Sequence, residues 1–509
     1  MSDTSSSPPI SSPPIVATGA GRVRGLPRPG SVAFLGIPFA APPVGDLRFA
    51  APRPHSPWSG VRDATRYGPT PQRRPFGPEV TIPEPSIPGE STLNVNVFTP
   101  VPGDRDAGLP VLVWIHGGGF FAGSPASPWY DGGAFNRDGV VTVTISYRLG
   151  FDGFGWIEDA PLNRGVLDQI AALVWVQENI ASFGGDPTRV TIAGQSAGGS
   201  SVFTLLATPR AQPLFNAAIA QSGVARSRAL AAVCDLGKRF AGKLGIPPTR
   251  AGWSTLSEDE ILDAQRQLTT VPDVEAAPPD RAVAIVRAMT AGEPGDNLPF
   301  VPHVDNNVIP YGVLEGISVG AGGDKPLLLG STAHEFTMVM GRFREALQDH
   351  DSVALLVAAG VDPDTATVVR DHYPDCDTAW LLGQLLTERM FRMPLLDAVD
   401  ARLGSSSSGT WLYDFRWVSP LDGLSAHCLE LPFVWDLLDA PGVTEVAGAE
   451  PPAALAGAMH RAWVGFISDG DPGWPACSPE GLPGMVFDAD SRLDADPYRT
   501  EAELRSMAW

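Results

Sequence analysis

The segment Val190-Thr191-Ile192-Ala193-Gly194-Gln195-Ser196-Ala197-Gly198-Gly199 constrains this chain more than any other. A β-branched apolar run ends on a serine held between two glycines, and small residues then open into Ser200, Ser201, Val202 and Phe203. The order reads strand, sharp turn, helix, with the pattern G-x-S-x-G at the turn. Glycine lets the backbone reverse where a Cβ would collide. The serine is left in a strained turn with its hydroxyl clear of the sheet. Ala197 begins a helix, so its N–H faces any negative charge that develops beside Ser196. With 55 glycines in 509 residues, chance supplies roughly 0.4 copies of such a pentapeptide. The weight therefore rests on its setting between a strand pattern and a helix pattern, and on partner motifs elsewhere in the chain.

A hydrophobic content of 43% with 18% charged residues describes a globular protein with a large core. Length alone permits two or three domains, or one large α/β unit. The net charge of −21 excludes nucleic acid as a partner, because phosphates are bound by clustered Lys and Arg. Cys234, Cys376, Cys428 and Cys477 lie far apart and form no C-x-x-C pair. This gives no zinc site, and it suits reduced thiols in a cytoplasmic protein. Residues 1–14 are Ser/Pro-rich and are expected to be disordered. They have no basic start and no apolar core of a secretory signal. No apolar segment approaches the ~18 residues of a membrane-spanning helix.

Strands and helices alternate through the middle of the chain. Val111–His116, Val140–Tyr147, the run from Val190, Ala217–Gln221, Pro326–Gly330 and Thr410–Phe415 read as strands. Leu167, Ile170, Leu173 and Val174 recur at helical spacing, in a helix expected to reach about Ser182 and to stop at Phe183-Gly184-Gly185-Asp186-Pro187. The rhythm predicts a mostly parallel sheet with helices on both faces. From about 224 to 324, and again over 336–402, the pattern turns helical. These stretches are expected to pack over the sheet as insertions. A last helix is expected from about Ala453 to Ser468.

A serine hydroxyl becomes a nucleophile only with a base, a group that orients the base, and donors for the oxyanion. His116-Gly117-Gly118-Gly119-Phe120 follows directly on a strand. Its side-chain-free amides make Gly118 and Gly119, with Ala197, the candidate oxyanion donors. Five histidines follow Ser196: His303, His334, His350, His372 and His427. Position favours His427, on a loop after a late strand. His350 and His372 fall in the helical stretch 336–402, and His303 lies between prolines. His427 and Glu430 form an H-x-x-E pattern, but no further ligands cluster with it, so no metal is assigned. The acid should precede the base and follow a core strand. Glu335 meets this, and Asp305 is the rival, though it resembles a turn residue. Phe120, Phe121, Phe300, Phe343 and Phe391 are candidates to line an apolar substrate pocket or to serve as plain core.

Further motifs stand in order around these: Gly36-Ile37-Pro38-Phe39-Ala40-Ala41-Pro42-Pro43-Val44-Gly45, Leu47-Arg48-Phe49, Leu93-Asn94-Val95, Tyr147-Arg148-Leu149-Gly150, Leu167-Asp168-Gln169, Gln221-Ser222-Gly223 and His427-x-x-Glu430-Leu431-Pro432-Phe433. With them the chain, from about Val16 onward, resembles the type-B carboxylesterases, the family of the bacterial para-nitrobenzyl esterases and the cholinesterases. The resemblance implies one α/β-hydrolase domain over residues 15–509 with helical cap insertions. It also implies a triad of Ser196, Glu335 and His427, with Ser222 close to it. Two departures stand out: Gln195 occupies a position where relatives usually carry Glu, and Ser91 and Thr92 stand where a loop cysteine is common. The expected chemistry is hydrolysis of a small-molecule carboxylic ester by water through an acyl-enzyme, without cofactor, by a cytoplasmic monomer. Carbamate or amide cleavage by the same residues is the alternative. A non-catalytic binding relative of the fold is a more distant one.

Overall fold

The computed structural model describes residues 13–71, 74–75, 82–269, 277–292 and 298–507, so residues 1–12 of the Ser/Pro-rich segment lie outside it. In chain order the strands are β1 (Ile15–Thr18), β2 (Gly21–Arg24), β3 (Leu26–Arg28), β4 (Ser31–Pro38), β5 (Val61–Asp63), β6 (Asn94–Thr99), β7 (Leu109–Ile115), β8 (Val141–Ile145), β9 (Gly185–Gln195), β10 (Ala217–Gln221), β11 (Leu327–Thr332), β12 (Thr410–Phe415), β13 (Gly484–Phe487) and β14 (Arg492–Asp494). β1, β2 and β5 make a small sheet of their own. The others form one large sheet in the order β14-β13-β12-β11-β10-β9-β7-β8-β6-β4-β3. From β8 to β13 neighbouring strands run parallel. β6, β4 and β3 continue the sheet antiparallel on one side, and β14 does so on the other.

The main helices are α1 (Arg164–Asn179), α2 (Ala197–Leu206), α3 (Leu230–Lys243), α4 (Glu258–Thr269), α5 (Pro278–Thr290), α6 (Thr378–Thr387), α7 (Met393–Leu403), α8 (Ala453–Asp469) and α9 (Arg499–Arg505). They cover both faces of the parallel strands, which is why those strands read as near-continuous apolar runs. Successive side chains of a strand point to opposite faces, and the two cores divide them accordingly. Val113, Ile192, Ala218, Leu329 and Leu412 pack with α1 and α2. Trp114, Ala193, Ile219, Leu328 and Tyr413 pack with α8. Each fully buried Val, Leu or Ile is worth about 1.5–3 kcal/mol of transfer free energy.

α1 ends at Asn179, and a short tighter turn, Ile180–Phe183, completes the helical run before Gly184 stops it in the left-handed region at φ 83°. The stretch 224–324 carries α3, α4 and α5, and 336–402 carries α6 and α7. One expectation is corrected. The chain does not close on the helix that begins at Ala453: β13, β14 and α9 follow it and extend the sheet edge. Those two strands are only four and three residues long, too short to leave an alternating pattern. Along the sheet, β7 has β8 on one side and β9 on the other. The crevice beyond the C-terminal ends of β7 and β9 is therefore a topological switch point, the usual place for a ligand in such a sheet.

Candidate active site

Ser196 sits between the end of β9 and the start of α2 with φ 58° and ψ −123°. This is a sparsely populated conformation for a residue with a Cβ, of the kind held by surrounding structure at functional turns. The glycines explain how the turn is tolerated. A Cβ on Gly198 would come within 2.0 Å of the Ile115 carbonyl oxygen, and one on Gly194 within 2.5 Å of Gly198. β7, β9 and α2 thus meet at a distance only glycine permits. The backbone is pinned from both sides: Ser196 N–H donates to the Gln221 carbonyl at 2.9 Å, and Ser200 N–H donates to the Ser196 carbonyl at 2.9 Å.

His427 and Glu335 come from the loops after β12 and β11. His427 Nδ1 is hydrogen-bonded to Glu335 Oε2. The two loops are also joined through their backbones, His427 N–H donating to the Glu335 carbonyl at 3.0 Å and His334 N–H to the Ser425 carbonyl at 3.0 Å. The second carboxylate oxygen of Glu335 accepts from Thr332 N–H at 2.9 Å. Glu335 is fully buried. Burial opposes a charge on His427, but Cys428 and Glu335 outweigh it and hold the imidazole pKa well above the ordinary histidine value. Burial pushes the Cys428 thiol up as well. Burial, with the Glu335 carboxylate beside it, pushes Glu430 up to about 7. Phe336 and Phe391 stand against the imidazole at ring separations of 5.2 and 5.0 Å.

The loop after β7 lies directly against the serine: a Cβ on Gly117 would be 3.1 Å from Ser196 Cβ. Gly118 and Gly119 have φ of 107° and 58°, which turns their amides in a way other residues rarely can. Among the described residues no backbone or side-chain acceptor takes the N–H of Gly118, Gly119 or Ala197. Three free donors therefore flank the serine. The loop is braced from behind by Tyr147, whose hydroxyl donates to the His116 carbonyl at 2.8 Å and whose ring stacks on His116 at 4.7 Å. Burial lowers the pKa of His116 to about 4, so it is neutral.

One expected contact is missing. Ser196 Oγ makes no hydrogen bond to His427 in this conformation. The imidazole Nε2 instead has the side-chain amide nitrogen of Gln195 at 3.3 Å. Ser222 is buried at a left-handed turn, φ 48°, with its N–H donating to the Gly330 carbonyl at 2.8 Å. Its hydroxyl has no partner among the described residues, so it makes no hydrogen bond to Ser196, Glu335 or His427.

The other candidates resolve into structural roles. Asp305 is turn chemistry, its Oδ1 accepting from the N–H groups of Asn307, Val308 and Ile309. His303 is buried behind Asn163, and His334 Nδ1 accepts from Ser425 N–H at 2.9 Å. His350 is exposed, and His372 pairs with Glu503 at 3.4 Å. Phe300 and Phe343 are core, and Phe120 is buried against Phe154. Phe121 borders a cavity of about 350 Å³ whose walls include Leu149, Phe151 and Gln265 but neither Ser196 nor His427. Sequence reasoning missed Arg392. Its side chain is almost wholly buried, pairs with Asp414 at 2.8 Å, and donates to the Thr332 carbonyl at 3.2 Å beneath the Glu335 turn. No local motif announces such a residue, since its partners are distant in sequence. Among the described residues no group of His, Cys, Asp and Glu is arranged to hold a metal ion.

The model of the carboxylesterase family matches residues 12–483. The chain is a member of the carboxylesterase family. Like others of the family, this carboxylesterase hydrolyses carboxylic esters. It is 34% identical to the para-nitrobenzyl esterase of Bacillus subtilis (strain 168), over 96% of this chain and 97% of that one. It is also 34% identical to a phenmedipham hydrolase of Pseudarthrobacter oxydans, over 90% of each. The crystal structure of a Geobacillus stearothermophilus carboxylesterase superimposes with a TM-score of 0.81 at 33% identity, covering 97% of this carboxylesterase and all of that chain.

Proposed function

We propose that this carboxylesterase works through Ser196 as nucleophile, His427 as general base and then general acid, and Glu335 as the group that orients and stabilises the imidazolium. Ser196 Oγ attacks the ester carbonyl while His427 Nε2 takes its proton. Gly118, Gly119 and Ala197 donate to the oxyanion of the tetrahedral intermediate. The imidazolium passes its proton to the leaving alcohol, and water activated by the same imidazole releases the acid. The observation that carries this reading is the buried Glu335–His427 pair beside a strained serine turn flanked by three unpaired N–H groups. Catalytic hydrogen bonds often tighten only with substrate bound, and Ser196 Oγ would then replace the Gln195 amide on Nε2. Replacing Ser196 with alanine should lower turnover of a p-nitrophenyl ester by about 10⁴–10⁶, the scale of losing a triad nucleophile. A loss below tenfold would end the mechanism.

The four cysteines are unpaired, two of them buried, which supports a reducing, cytoplasmic location. Among the described residues no helix is long and apolar enough to cross a membrane. A monomer is the assembly expected for a site built within one chain, and sedimentation velocity at micromolar concentration tests it.

A further inference from the structure

We propose that Gln195 is a positioning residue that holds His427 off Ser196 in the resting enzyme, its side-chain amide donating to the imidazole lone pair that must later accept the serine proton. The proposal rests on the reading of Ser196 and His427 as nucleophile and base.

The tautomer decides what Gln195 does. Nδ1 faces the Glu335 carboxylate, which only accepts, so Nδ1 carries the proton and Nε2 presents a lone pair. The Gln195 amide nitrogen stands 3.3 Å from Nε2. An NH₂ group satisfies a lone pair, and a carboxylate in its place could not. Gln195 Oε1 is buried without a partner, so the oxygen does not anchor the amide and the contact with His427 is what orients it. Ser196 Oγ, one residue away, is left without the bond to Nε2 that its activation requires. The other titratable groups facing the imidazole are Glu335, which takes Nδ1, Glu430, and Cys428, whose side chain is also a hydrogen-bond neighbour of the ring. At 3.3 Å the contact is long, so the rotation of Ser196 that accompanies substrate binding can displace it.

Two consequences follow. Serine attack bears the cost of breaking one neutral hydrogen bond. The same bond favours the uncharged imidazole, pulling its pKa down against the upward pull of Glu335. Labelling by diisopropyl fluorophosphate isolates the attack step from deacylation. Gln195→Met keeps the length and removes the donor, and on the alkaline plateau of the pH profile, where the imidazole is neutral in both enzymes, it should label about 2- to 10-fold faster, the span of one such bond. The acid limb of its labelling rate should move up by as much as about one pH unit. Gln195→Glu, the second variant should the first fail to fold, also cannot donate. It should label faster on the plateau too, with its limb displaced further because a carboxylate favours the imidazolium. A Gln195→Met enzyme whose plateau rate equals the parent's or falls below it overturns the proposal, and where that variant does not fold the plateau rate of Gln195→Glu decides in the same way. Ser196→Ala is the control: if it labels like the parent, the nucleophile assignment falls, whereas loss of labelling leaves only the role of Gln195 in question.

Discussion

His427 is where the chemistry is tuned. In the proposed mechanism its neutral form is the base, and its pKa is held well above the ordinary histidine value of about 6.5. Activity therefore falls as pH drops through a midpoint above 6.5, because the imidazolium has no lone pair for the serine proton. kcat/KM on p-nitrophenyl acetate, measured from pH 5 to 9, should show that acid limb, and a rate flat down to pH 5 would remove His427 as base. Glu335→Gln keeps the shape and deletes the anion. The imidazole then loses both its orienting acceptor and the charge that stabilises its protonated form. kcat should fall by about 10³–10⁴, as when a triad carboxylate becomes an amide, with the acid limb moved down. At this scale the sequence was only partly informative. Ser196 was marked by a local pattern, whereas Glu335 had Asp305 as a rival. What separates the two is the set of backbone amides that fills the Asp305 side chain, and that is visible only once its turn is folded.

At the scale of elements, the proposed catalytic groups hang on four strand ends: β7, β9, β11 and β12. The junction of β7, β9 and α2 tolerates no extra atom. Gly198→Ala would put a methyl group 2.0 Å from the Ile115 carbonyl oxygen, backbone that cannot give way cheaply. Such overpacking costs about 1–3 kcal/mol or more. Urea unfolding should show that loss together with reduced activity, since the strain is released by moving the Ser196 turn. Gly481→Ala, where a Cβ meets nothing within 4 Å, serves as the neutral comparison. The parallel strands were legible as apolar runs because both of their faces are covered. β1, β2, β3, β5, β13 and β14 are only three or four residues long and went unmarked, as did the longer β4 and β6, whose residues stood out as motifs rather than as strands.

For the molecule as a whole, the same nucleophile and oxyanion donors could serve an amide, and the leaving group decides between the two. An anilide nitrogen must be protonated as it departs, and the one acid in the proposed mechanism is His427. Matched p-nitrophenyl ester and p-nitroanilide substrates should therefore differ in kcat/KM by at least about 10²-fold in favour of the ester, about 2.7 kcal/mol of barrier. Equal rates would move the enzyme to another reaction class. The fold class followed from the strand–helix rhythm and from motifs spread along the chain. The buried Arg392 brace was hidden because its partners, Thr332, Asp414 and Glu501, become neighbours only in three dimensions.

The distance along the chain between Ser196 and His427 has a bearing on biosynthesis. While the ribosome has yet to release β12 and the loop beyond it, the growing polypeptide displays an alcohol with nothing to deprotonate it. On the proposed mechanism hydrolytic power is switched on by the docking of a late strand, and the unfinished protein cannot yet cleave the esters around it.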